Sequence, residues 1–389
     1  MTRGSIVGDG LALGEDLLDA VDRAVAQARE PLGATGADLA CVFVSGGTPD
    51  SAAAALLRAS DALPARNVVG CTAHGLIADG QGVEGASGVS VWVASLPSVE
   101  VRAFHLEVLR TSETIAILGM PQHRSDDVVG VLLADPFSFP VDGFVERSHD
   151  ALFGLPLTGA MASGSMVAGD TRLLVDGRVH QRGAVGVVLG GDVAVHTLVS
   201  QGCRPIGRPM TVTRASGTTI LELAGRAALQ QVKDVVCELP VAEQPVAVRG
   251  LHLGVVVDEY ADAHTANDFL VREIAAADHV AGSITIGDEV PVGTTVQFLL
   301  RDAAAAHDDL AEVLQAFRAR IGRAPLAGAL LFSGDARPLF TSPSHDVRAV
   351  RDELGLERVA GFFAAGEIGP LGGRNQVHGF TATVLAFGT

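Results

Sequence analysis

At 389 residues the chain is long enough for two domains, and 48% apolar with 19% charged residues gives it ample material for a core. A net charge of −17 excludes nucleic acid as an expected partner, since phosphate contacts need clustered Lys and Arg, and no apolar run approaches the ~20 residues of a membrane span. The four cysteines, Cys41, Cys71, Cys203 and Cys237, are scattered without CxxC pairing, which argues against a structural metal site or a disulfide scaffold and fits a reducing cytoplasm.

The first residues, Met1 to Gly10, hold no apolar core of signal-peptide length, so the expected location is cytoplasmic. Asp16 to Glu30 reads as a helix with Leu17, Leu18, Val21, Ala24, Val25 and Ala28 on one face, stopped by Pro31 and Gly33. Leu39 to Val44 reads as a strand. The alanine-rich stretch Asp50 to Leu63 reads as a helix started near Pro49. Val68 to Gly75 and Gly88 to Val93 follow as further strand runs. The same phrase returns twice. Val128 to Ala134, Pro156 to Gly164 and Gly183 to Leu189 form one copy; Ala329 to Phe332, Val359 to Gly369 and Gly379 to Phe387 form another. From Val44 to Gly70 and from Leu133 to Gly159 the step is 26 positions in both cases. A weaker copy runs from Val256 through Gly282 to Leu300. Val193 to Val199 and Met210 to Arg214 read as additional strands, and Gly225 to Cys237, Asp302 to Arg320 and Ser344 to Leu354 as helices. Ser344 is the expected N-cap of the last of these, and Gly322 and Gly355 are expected stops.

Units of this kind carry too little apolar surface to fold alone, so they share cores. Four copies taken two and two predict an α+β fold of two pseudo-symmetric halves, with mixed β-sheets flanked by helices. The break at Glu238-Leu-Pro240 suggests a helical lead-in over 1–34 and domains over 35–237 and 238–389.

Familiar catalytic signatures are absent from the sequence: there is no P-loop, no HExxH and no nucleophile elbow, so no enzyme is expected. Cys71 and His74 stand three residues apart, but adjacent loop residues rarely meet in the geometry of a nucleophile pair. Asp126-Asp127 and Asp308-Asp309 read as solvated surface carboxylates. Glu367 sits among glycines after an apolar run. It either faces a ligand amine at a pocket mouth or bonds the backbone of a neighbouring loop. His378 opens the last strand and either faces the same region or is satisfied within a turn. The loops at 70–75, 159–165 and 361–369 are expected to converge on one ligand site. Cys71, Thr72, His74, Gly159, Ser163, Ser165, Glu367 and His378 are its candidate residues. A protein-interaction scaffold is a further possibility.

Val68 to Gly75, Gln201 to Gly207 with Thr211 to Thr213, and Gly361 to Pro370 with Asn375 and His378 to Thr381 together resemble the FIST sensory module over roughly 35 to 389. The stretch Glu222 to Ala228 departs from that pattern. The resemblance implies a small-ligand sensor with an N-terminal and a C-terminal half, amino acids as the suggested ligand class, and haem-based nitric-oxide sensing in some members. It carries the expectation of a stand-alone module that signals through a protein partner and holds no cofactor. The alternative is non-covalent haem b, with His196 and His252 as candidate axial ligands in apolar strand surroundings; no other metal is expected.

Overall fold

Three times along the chain, an apolar run, a helix and a second apolar run fold into a parallel strand–helix–strand unit. The computed structural model describes residues 4–112, 114–257, 259, 269–335, 337 and 342–389. They form two compact units, the first comprising Met1–Val199, Ala311–Pro370 and Arg374–Thr389, the second Ser200–Leu310 and Leu371–Gly373.

In chain order the first copy comprises β1 (Ile6–Leu13), α1 (Leu17–Arg29), β2 (Ala37–Ser45), α2 (Pro49–Ala62), β3 (Ala65–Ala73), β4 (Gly75–Ala78), β5 (Gln81–Glu84) and β6 (Gly88–Ser95). The next comprises β7 (Val99–Arg110), β8 (Ile115–Leu118), β9 (Asp127–Ala134), α3 (Val141–Ala151), β10 (Leu157–Met161), β11 (Leu173–Val175), β12 (Arg178–His180) and β13 (Ala184–Gly191). β14 (Val195–Ser200) leads into β15 (Arg204–Ser216), β16 (Thr219–Leu223), β17 (Arg226–Ala227), α4 (Ala228–Glu238), α5 (Gln244–Gly250), β18 (Leu251–Val256), β19 (Phe269–Asp278), β20 (Ser283–Ile286) and β21 (Thr295–Leu300). The last copy follows: α6 (Ala303–Ile321), β22 (Leu326–Gly334), α7 (His345–Leu354), β23 (Val359–Ala364), β24 (Gly366–Leu371), β25 (Arg374–His378) and β26 (Ala382–Gly388).

The first unit holds three mixed sheets, ordered β1-β6-β2-β3-β11-β12, β25-β24-β10-β9-β13-β7-β8 and β14-β26-β22-β23-β4-β5. In each, a parallel pair (β2/β3, β9/β10 or β22/β23) is followed on one side by an antiparallel closing strand. On the other side lies a hairpin supplied by a different copy. β4–β5 docks on β23, β24–β25 on β10, and β11–β12 on β3. The mixed sheets flanked by helices expected from the sequence are present.

Local chemistry explains the helices that start this scaffold. Asp16 caps α1 by accepting from the N–H groups of Leu18 and Asp19, and Thr48 with Ser51 closes a capping box on α2, with Pro49 at its first turn. The apolar faces of α1 and α2 pack on the outer face of the first sheet. The inner faces of all three sheets share one core. Phe43, Phe332 and Phe362 meet there at centroid distances of 4.8 to 6.4 Å, and Trp92 lies 4.8 Å from Phe387. Each such ring contributes about 1.5–3 kcal/mol by leaving water.

The repeating glycines have a packing cause. Gly70, Gly159 and Gly361 occupy the same register position in the second strand of each parallel pair, opposite Val42, Leu132 and Leu331. A Cβ on them would lie 2.1, 2.0 and 1.7 Å from the carbonyl oxygen of that partner. No side chain fits, so the repeat in the sequence is the trace of a backbone approach made three times.

In the second unit, β15, β21, β18, β19, β20 and β16 are successive antiparallel neighbours, and β16 pairs back with β15, closing a barrel. Ile206, Val212, Leu253, Val296 and Phe298 fill it. The weaker sequence copy lies here and does not repeat the unit, because β18 and β19 pair antiparallel. Glu238-Leu-Pro240 closes α4 inside this unit. Two further expectations are corrected. Ser344 stands at the N-cap position of α7 as expected, but its side chain makes no capping bond to the helix; its Oγ instead accepts from Gly82 N at 3.1 Å. Asp126 and Asp308 are exposed as expected, but Asp127 and Asp309 are half-buried and engaged by the fold. The Asp127 side chain is 3% exposed beside Arg102, and Asp309 accepts from Ser200 Oγ at 2.6 Å and Gly202 N at 2.8 Å.

Candidate functional site

The loops at 70–75, 159–165 and 361–369 do meet, at the points where β3 runs into β4, β10 ends and β23 runs into β24. Ser163 ties them together: its Oγ accepts from His74 N at 2.9 Å and donates to Phe363 O. Ser45 Oγ donates to His74 O at 3.1 Å, and Ala365 N donates to Met161 O at 3.1 Å. The junction is closed. Cys71 is fully buried in β3, and burial pushes its thiol well up, the opposite of what a nucleophile needs. Glu367 is fully buried and accepts from Thr381 N at 2.8 Å and Thr381 Oγ1 at 2.7 Å, the second of the two roles open to it from sequence. His378 is 3% exposed, with Nε2 3.0 Å from Gly369 O. Gly159 serves the strand contact described above, and the imidazole of His74 is exposed.

Beside this junction a small polar cleft of about 90 Å³ opens at the carboxyl ends of β2 and β3, where ligands of parallel-sheet folds characteristically bind. Its walls are the β2–α2 turn (Gly46, Gly47, Thr48), Thr72 at the end of β3, and Gly164, Ser165 and Asp170 from the β10–β11 connection. Two of the expected residues, Thr72 and Ser165, therefore line it. Gly46 and Gly47 have φ of 79° and 74°, so the turn brings bare backbone to the cleft. The N-terminus of α2 ends in this turn and supplies the positive end of a helix dipole. Thr72 Oγ1 accepts from Arg172 N at 3.1 Å, and Ser165 Oγ donates to Asp170 at 3.2 Å, which fixes both side chains. Arg172 is 6% exposed. It donates to Gly169 O and Thr171 O, holding the β10–β11 connection in shape, with Asp50 3.9 Å away. A positive helix end and a carboxylate in one cleft suit a ligand carrying both charges.

A larger cavity of about 680 Å³ on the same unit was not signalled by the sequence. It is lined by His105 on β7 and His180 on β12, their rings stacked 3.7 Å apart, with Glu107, Arg110 and Arg182. Burial, then His105, holds His180 below the usual imidazole range. No motif links β7 to β12, so only the fold brings these rings together. His196 packs 5.2 Å from the Phe317 ring. His252 is buried in β18 with Nδ1 3.0 Å from Gly250 O, and burial, then Arg301, lowers it to about 4. Among the described residues no cluster of three or more His, Cys, Asp or Glu side chains is set to hold a metal. No helix among them is long and apolar enough to cross a membrane.

Residues 38–226 match the FIST N domain and residues 207–370 the FIST C domain. An uncharacterized protein of Mycobacterium tuberculosis is 40% identical over 383 residues, covering 98% of this chain and 99% of its own length. An uncharacterized protein of Mycobacterium bovis is 40% identical over 384 residues, covering 98% of each chain.

Proposed function

The chain belongs to the FIST family, whose domains are sensory domains of signal transduction, and on that premise we propose that it is a non-catalytic sensor of a small zwitterion, an amino acid, bound in the cleft between the β2–α2 turn and Asp170. The observation that carries this reading is the pairing of opposite charges in one small space. The α2 N-terminus suits a carboxylate, and the Asp170 carboxylate suits an ammonium group. The volume admits a ligand of few heavy atoms. Occupancy passes to a protein partner through the β10–β11 connection, which carries Ser165 and Asp170 and exposes Met166 and Val167 at 89% and 60%. The test is a thermal-shift titration with each of the common amino acids, followed by calorimetric titration. A binder at ten times its Kd stabilises by about 1.4 kcal/mol. Asp170→Asn is expected to weaken it by about 10- to 100-fold, the worth of a hydrogen bond to a charged group. Silence from every amino acid, or unchanged affinity in Asp170→Asn, overturns the reading.

A further inference from the structure

The chain contains 27 arginines and a single lysine, Lys233. Lys233 is exposed on α4, and no ion pair engages it among the described residues; the neighbouring Asp234 is occupied by Arg226 at 2.8 Å and Gln230 at 2.7 Å. One helical turn further on stands Cys237. It is the exposed cysteine of the chain, while Cys41, Cys71 and Cys203 are buried. Residues four apart share a helix face. Both side chains line a groove of about 360 Å³ in the second unit, walled by Leu229, Val232 and Val236 of α4 and by Ala247 and Val248 of α5. Apart from Lys233, every described lining residue is uncharged and all but Cys237 are aliphatic.

We propose that this groove binds an apolar monocarboxylic acid of medium chain length, its chain against the aliphatic walls and its carboxylate at the Lys233 ammonium. Three features select that class. Among the described residues the walls offer no strong hydrogen-bonding side chain besides Lys233 that would hold a polar body. The one charge among the described lining residues is positive, so an anionic head is favoured and a cationic one repelled. A lysine can lay its stem along apolar surface while its ammonium stays in water, and the exposed Lys233 at this lining suits a ligand whose head remains at the rim. The volume falls in the lower part of the range for small-ligand sites, about 300–1,000 Å³. This site is separate from the zwitterion cleft of the first unit, and its test does not depend on that cleft.

Cys237 gives a local readout, since it is the thiol open to a maleimide reagent in the folded chain. Decanoate is expected to slow maleimide labelling of Cys237 at least 5-fold at saturation, and decan-1-ol to protect it more weakly. Lys233→Met keeps the apolar stem and removes the charge; it is expected to raise the decanoate concentration needed for protection by about 5-fold and to leave the decanol curve unchanged. Ala277→Trp, on the exposed end of β19 at the groove, is expected to abolish protection by both. No protection by decanoate at millimolar concentration overturns the proposal and leaves the groove as a protein-docking face. Equal protection of wild type and Lys233→Met by decanoate overturns the assigned head group.

Discussion

Replacing Gly159 by alanine tests whether the repeating glycines are packing positions. The added Cβ would stand 2.0 Å from Leu132 O and 2.8 Å from Leu132 C, where ordinary contact begins near 3.4 Å. β10 must therefore move about 1.4 Å from β9 at the centre of a five-residue register. Two ladder hydrogen bonds stretched by that amount cost about 1 kcal/mol each. Overpacking adds about 1–3 kcal/mol, so the packing loss is about 3–5 kcal/mol, to which the φ of 152° at Gly159 adds backbone strain that Gly361 does not share. At about 2 °C per kcal/mol for a unit of this size, the melting midpoint falls by about 6–10 °C. The single tryptophan, Trp92, is fully buried in the core shared by the three sheets, so its fluorescence follows the first unit alone. Gly361→Ala, with its 1.7 Å contact, is expected to cost as much or more. Gly85→Ala is the control. Its φ is 66° and its Cβ meets nothing within 4 Å, so only the left-handed strain of about 1 kcal/mol remains. Midpoints for Gly159→Ala and Gly361→Ala within about 2 °C of Gly85→Ala would refute the packing explanation.

Acid should destabilise the first unit in a defined window. Burial pushes Asp346 up, but Arg337, His345 and Ser333 together more than offset it and hold its carboxyl at about 2. Its folded value lies below the unfolded ~3.9, so it contributes about 2–3 kcal/mol above pH 4 that disappears between about pH 4 and 2. Trp92 fluorescence against pH should show that loss, and Asp346→Asn should flatten it. At neutral pH, Arg337→Met leaves that carboxylate buried without its cation and is expected to cost about 3–5 kcal/mol by denaturant titration. His252 acts in a different window. Its folded value of about 4 lies below the unfolded ~6.5, so the unfolded chain binds more protons and stability falls as pH drops from 6.5 toward 4, by about 2 kcal/mol at pH 5. Calorimetry of the second unit's transition in wild type and His252→Gln should show that slope only in wild type. Thr48→Ala removes the cap of α2 and is expected to cost about 1 kcal/mol in the Trp92 melt.

The helices with a full apolar stripe and a stop signal were legible from sequence. α1, α2, α6 and α7 begin and end within a residue or two of their expected bounds, and α4 starts three residues late. α3 was not legible: it carries Gly143, has no side-chain cap and starts after Pro140. α5 has seven residues, too few for a period to declare itself. The glycine repeat was plain, yet sequence could not say whether a close approach belongs to a ligand or to another strand. Leu132, Val42 and Leu331 supply that answer only once the pairs are in register. The ties of Ser163 to Phe363 and His74 span long stretches of chain, so they had no local signature. In the cleft, Thr72 and Ser165 were anticipated, while the Gly46–Thr48 turn and Asp170 were not, since they look like ordinary loop composition.

The exchange of hairpins among the three sheets sets an order of events during synthesis. The strand β3 receives β11–β12 as soon as the second copy emerges, but β10 waits for β24–β25, which are made almost last. Between them the ribosome must deliver Ser200–Leu310 of the second unit and most of the last copy. At about 5–20 residues per second, residues 200–373 keep the β10 edge uncovered for roughly 10–35 s. An uncovered strand edge invites pairing with another chain. The nascent protein is therefore most prone to misassembly in that interval, and holding it apart from its copies until translation ends is part of what this topology demands of the cell.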